Sequence, residues 1–229
     1  MQRSKVIIEL IKDEINVVQA MDILNILLQD INDKKIKSWL NNEINGYSKD
    51  EKVPDYRIVS ANITGNYIVG NMYRGLQCTN QPIPIKPELV EEYTKIRVSC
   101  GLNEVYQMSL AEKENENHCL LMPLHTLLAQ EISIINGEVL SANRTLSIYA
   151  YTNILNKLKS KVVKIFMELE KKYGNLDNYY IDFSNKRAEK EVVKIINNII
   201  CTDNSVHIGN DNNIEKSSVG VGNENWNWR

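Results

Sequence analysis

No apolar run in this sequence is long enough to span a bilayer. The opening stretch, MQRSKVIIELIKDEINVV, is broken by Glu9, Lys12, Asp13 and Glu14 and lacks the small-residue cleavage site of a secretory signal. A membrane partner is therefore not expected. Charge of neither sign dominates: 27 Lys and Arg stand against 29 Asp and Glu, a formal net charge of -2. Nothing global draws the chain to nucleic acid or to an anionic surface. Cysteine is sparse and scattered. Cys78, Cys100, Cys119 and Cys201 form no CxxC pair, which fits reduced thiols in a cytoplasmic protein. Also missing are a Walker A loop, GxSxG, HExxH and a dinucleotide fingerprint. The carboxylate pairs Glu91/Glu92 and Glu168/Glu170 fall in ordinary amphipathic stretches and make no nuclease pattern. With no catalytic cluster in view, binding is favoured over catalysis, although a site assembled from distant residues leaves no mark in a single sequence. No cofactor is expected.

What is present suits one large domain or a domain with an appendage: 229 residues, 43% hydrophobic and 24% charged. Residues 4–46 carry helical spacing in two or three segments. VIIELI is followed, after a break near Asn16, by VVQAMDILNILL. Asp33 is placed to cap KKIKSWLNNEIN, and Gly46 to end it. RIVSANITGNYIVGNMYR is rich in β-branched residues and reads as a hairpin turning at Gly65-Asn66. Three prolines make Gln81 to Pro87 an extended connector into a helix, ELVEEYTKI. LNEVYQMSLA and LMPLHTLLAQEIS both read as helical, the second starting near Pro123, and GEVLSANRTLSI as partly strand. Tyr149 to Tyr173 is the clearest helix. Leu155, Leu158, Val162, Ile165, Phe166 and Leu169 share a face, and Gly174 is the stop. A last helix spans 186–200, with Ser184 as its expected cap. No βαβ alternation occurs. The fold class expected is α+β: N-terminal helices, a small and mainly antiparallel sheet, further helices, and a short Gly/Asn-rich β-like tail. The domain occupies 1–201 and the tail 202–229.

Four features are candidates for function. In WLNNEINGY, helical spacing sets Ile36, Trp39, Leu40, Glu43, Ile44 and Tyr47 on one face. Glu43 is then a carboxylate inside an apolar stripe, and it needs a partner there. On the long helix, Lys157, Lys161, Lys164 and Lys171 form a basic stripe opposite the apolar face, interrupted by Glu168. This is either a nucleic-acid contact or a solvated face with helical ion pairs such as Lys164–Glu168. His118, Cys119 and His125 in HCLLMPLH match no standard metal spacing and lack a fourth ligand, so no metal is expected. The tail sets Ile208, Gly209, Ile214, Val219 and Gly220 at solenoid-like or hairpin-like spacing and ends in Trp226 and Trp228. It either folds back on its own domain or pairs with a partner through β-addition and the exposed tryptophans.

KSWLNNEINGY followed by VPDYR resembles the helix-end signature of the AbiTii domain, roughly W-x-x-x-E-L-x-G-Y, a gap, then L-P-x-Y-R. The QPIPI connector and the late helix LNKLKSKVVKIFMELEKKYGN are similar to that family too, over about residues 4–175. Ile44 stands where the family has Leu, and Lys159 near the place where Arg is common. The resemblance implies bacterial phage defence of the abortive-infection kind. It also sets Pro54, Tyr56 and Arg57 just downstream of Glu43. That implies a Glu43–Arg57 ion pair at a helix–sheet junction, with Trp39, Tyr47 and Tyr56 around it. The pair is either a brace or an anion-binding site lined by Arg57. The function expected is a sensor, binding or assembly module without catalysis of its own. The alternatives are an enzyme-like toxin such as a nuclease, or a nucleic-acid-binding module. The partners expected are a second copy, giving a homo-oligomer, or another defence protein, reached through the tail, with a phage-derived trigger. Nucleic acid is the less favoured partner.

Overall fold

The structure, a computed structural model, describes residues 3–71, 74–111, 119–147 and 149–201. The tail 202–229 and His118 lie outside the described residues. Among the described residues the chain is α+β, with eight helices and a five-stranded antiparallel sheet.

Three helices open the chain: α1 (Lys5–Ile11), α2 (Val17–Leu27) and α3 (Lys34–Asn45). Three of their boundaries have a local cause. Asn16 caps α2 by accepting from the Gln19 amide, while the Gln19 side chain accepts from the Asn16 amide. Asp33 caps α3 by accepting from the Ile36 amide at 2.8 Å. Gly46 ends α3 at φ +99°, a backbone conformation that L side chains rarely adopt. A Cβ there would also stand 2.9 Å from the Ser99 carbonyl oxygen.

The sheet has strands β1 (Ile58–Val69), β2 (Leu76–Pro82), β3 (Lys95–Arg97), β4 (Cys119–Leu124) and β5 (Gly137–Ser147). Their order is β2-β1-β5-β4, with β3 beside the start of β1. β1 continues through Gly65-Asn66 to Val69, and the chain reverses to β2 only beyond it. The expected turn is replaced by a bulge because β1 is paired on both sides, to β2 and to β5. Gly65 serves close approach and not reversal, since a Cβ there would lie 1.9 Å from the Ser141 carbonyl oxygen.

The helix expected from near Pro123 starts later, because Cys119–Leu124 is a strand. That strand pairs residue for residue with β5, from Cys119 opposite Ser147 to Leu124 opposite Ala142. Pro123 is tolerated because, among the described residues, no strand continues the sheet path beyond β4. Helix begins only at Thr126, where His125 Nδ1 accepts from the Leu127 amide.

The remaining helices are α4 (Val90–Thr94), α5 (Leu102–Ala111), α6 (Thr126–Ile132), α7 (Tyr149–Tyr173) and α8 (Lys186–Cys201). Asn185 caps α8 by accepting from the Arg187 and Ala188 amides at 3.2 Å. Ser184, the expected cap, donates its hydroxyl to Asp182 instead.

The main core joins α1, α2, α3, α7 and α8 to one end of the sheet, with Val59, Ala61 and Leu146 meeting the α7 stripe Leu158, Val162, Ile165 and Phe166. A smaller cluster of Ile63, Tyr67, Ile83, Ala129, Ile132, Val139 and Ala142 seats α6 on the sheet's other half. No helix among the described residues is long and apolar enough to cross a membrane.

Candidate functional site

α3 carries Trp39, Glu43 and, just past its end, Tyr47. A short 3-10 turn at Asp55–Arg57, set off by Pro54, delivers Tyr56 and Arg57 at the entry to β1. The two segments meet where the main core closes. Glu43 and Arg57 are both fully buried, with Arg57 Nη2 2.8 Å from Glu43 Oε2.

The contacts divide the carboxylate into halves. Arg57 donates Nε (3.0 Å) and Nη2 (2.8 Å) to Oε2. Tyr47 (2.5 Å) and Tyr56 (2.6 Å) donate their hydroxyls to Oε1. The guanidinium is thus not forked across both oxygens; the second belongs to the phenols. The other Arg57 N–H groups go to backbone carbonyls: Nη1 to Cys100 (2.8 Å) and Val98 (3.3 Å), and Nη2 also to Glu43 (3.4 Å). Five donors and the carboxylate's acceptor positions are all filled from within the chain. Trp39 Nε1 donates to the Tyr56 hydroxyl at 3.2 Å, and the Arg57 guanidinium lies 5.2 Å from the Tyr47 ring centre.

Burial and the neighbouring Glu43 charge push both phenol pKa values above the ordinary tyrosine range, so the phenols stay protonated donors. Burial works against the charge on Arg57, but the attraction and hydrogen bonds of Glu43 outweigh it and raise the Arg57 pKa.

The segments that build this pair fall within the span of a family model. An AbiTii model matches residues 5–197, which spans the helices, the sheet and the buried pair. The chain belongs to the AbiTii family. No curated protein and no solved structure gives a significant match.

The residues on which the resemblance rested, Trp39, Glu43, Tyr47, Tyr56 and Arg57, thus form one contact network. The lysine stripe is not one surface. Lys157, Lys164 and Lys171 face solvent, but Lys161 is buried. Its ammonium donates to the Ile199 (2.7 Å) and Ile200 (3.3 Å) carbonyls at the end of α8 and sits 5.5 Å from the Tyr56 ring centre. Lys161, expected on the face opposite the apolar stripe, flanks that stripe instead, and α8 packs over it. Glu168 pairs with Lys171 at 3.8 Å.

Cys119 lies in β4 and His125 caps α6, while the rest of the motif, His118, is outside the described residues. Among the described residues no three His, Cys, Asp or Glu side chains group as metal ligands.

Beside the buried pair lies a cleft of about 560 Å³ between α3, residues 52–55 and the end of α8. Trp39, Tyr47, Val53, Pro54 and Ile200 give it an apolar lining, while Lys35, Lys52, Asp55 and Cys201 bring polar and charged groups. Lys35 Nζ lies 3.0 Å from Cys201 Sγ. Sequence reasoning missed this cleft, because its walls come from three separated segments. The only cue was that Trp39 and Tyr47 occur together on one face.

Proposed function

We propose that this AbiTii-family chain acts in bacterial defence against phage by abortive infection, through binding and assembly and without catalysis of its own. Family membership suggests the defence role. The binding mode rests on one observation: the signature's ionic groups are closed off. Glu43 and Arg57 have no exposed surface, and their hydrogen-bonding capacity is spent on Tyr47, Tyr56 and the backbone. An anion or a substrate could reach Arg57 only by displacing partners from a fully buried site, which is costly. The signature then serves as a brace, and partners meet the surface. The tail, with Ile208, Gly209, Ile214, Val219, Gly220, Trp226 and Trp228, supplies that surface to a second copy or to another defence protein, in response to a phage-derived trigger.

The test pairs two measurements on the full chain. Purified protein is incubated with RNA and DNA, and phage plating is scored with and without residues 202–229. Intact nucleic acid together with loss of protection on tail removal is the result expected. Cleavage that persists through purification would instead establish a nuclease toxin.

A further inference from the structure

The cleft beside the buried pair is also where the tail begins. Cys201, the last described residue, lines it, so the described chain ends at this cleft. The exit is held in place. Lys161 binds the last carbonyls of α8 at Ile199 and Ile200, groups that a helix end otherwise leaves without partners.

We propose that the root of the tail, Thr202–Ile208, docks in this cleft of its own chain. Three observations point to that occupant. The floor is apolar, formed by Trp39, Val53, Pro54 and Ile200. The root offers Val206 and Ile208, which alternate and so share one face of an extended segment. The lining carries two cations, Lys35 and Lys52, against one acid, Asp55, and the root carries Asp203 and no Lys or Arg. Reach is sufficient, since seven extended residues span roughly 23 Å. Tethering also favours the chain's own tail, because a short linker gives an effective concentration of about millimolar. The docked root takes Ile208 out of the partner-facing surface and leaves the later residues, from Gly209 to Trp228, for partners. It also joins the tail to the brace, because Trp39 and Tyr47 line the cleft on one side and reach Glu43 on the other, Trp39 through Tyr56.

The test uses the full chain carrying Ser38→Cys, a solvent-facing position on the cleft wall. Alkylation of that cysteine by a small neutral reagent is followed by peptide mass. A second version adds Val206→Asp and Ile208→Asp, neither of which belongs to the described core clusters. Docking predicts alkylation slower by about tenfold with the native tail, as a 10:1 bound population gives, with the protection lost in the double aspartate chain. Equal rates in the two chains overturn the proposal. Protection that survives the aspartates also overturns it, because something other than the root then fills the cleft. Protection that fades on dilution overturns it in favour of a second copy's tail.

Discussion

Arg57 places two of its N–H groups on a single oxygen of Glu43, while Tyr47 and Tyr56 hold the other oxygen. The carboxylate ties the end of α3 to the first strand through four donors from three side chains, and Arg57 extends the tie to the backbone at Val98 and Cys100. Removing any member leaves a buried group without its partner, and this sets the expected size of each effect.

Glu43→Ala strands a buried guanidinium and two phenols. The expected loss is about 3–5 kcal/mol, which for a chain of this size lowers Tm by roughly 6–20 °C. Arg57→Lys is also destabilising, because an ammonium cannot reach the carboxylate and both backbone carbonyls from one plane. Thermal unfolding followed by circular dichroism measures both. A change within error for Glu43→Ala would contradict the network.

The raised phenol pKa values give a signed pH dependence. Tyr47 and Tyr56 ionise in the unfolded chain near the ordinary value of 10.0 but resist ionisation when folded. Their contribution is therefore complete below that value, and it declines as pH rises above it, because the unfolded chain then binds fewer protons. Tm should fall on the alkaline side of pH 10, and the fall should be shallower in Tyr56→Phe. That variant also loses a buried donor, at about 1–3 kcal/mol near neutrality.

Lys161→Met keeps the packed stem of the side chain and removes the ammonium that holds the α8 carbonyls. Stability should drop by about 1–2 kcal/mol. Amide exchange should quicken at 198–201, while α3 and β1 stay protected. An unchanged exchange pattern at the end of α8 would show that the cap does nothing.

Gly65→Ala puts a Cβ 1.9 Å from a backbone oxygen of β5. The strands must separate there, at about 1–3 kcal/mol. Placing alanine at a true turn would strain the reversal; here the damage should fall on the β1–β5 pairing and be visible as faster exchange at residues 141–145.

Much of the helical part was legible because its signals are local. Asp33, Gly46 and the α7 stripe act within a few residues of themselves, and the structure follows them. The sheet was harder. Gly65-Asn66 resembles a turn until β5 is known to lie against it, and Cys119–Leu124 alternates too weakly to separate strand from helix without β5 beside it. At the site, the stripe around Glu43 was visible in the sequence, but the acceptors at Val98 and Cys100 were not, because they are backbone carbonyls that any residue supplies. Lys161 shows the same limit: periodicity does not name the neighbour that covers the flank of a helix's apolar stripe.

The central claim is that the Glu43–Arg57 network braces the fold while phage defence is exerted elsewhere on the chain. Phage plating with Glu43→Ala tests it most directly, done at a temperature where the variant's folded protein equals that of the wild type. Retained protection, together with the lowered Tm, is the result predicted. Abolished protection with Tm and folded protein unchanged would contradict the claim and make the carboxylate itself a working group.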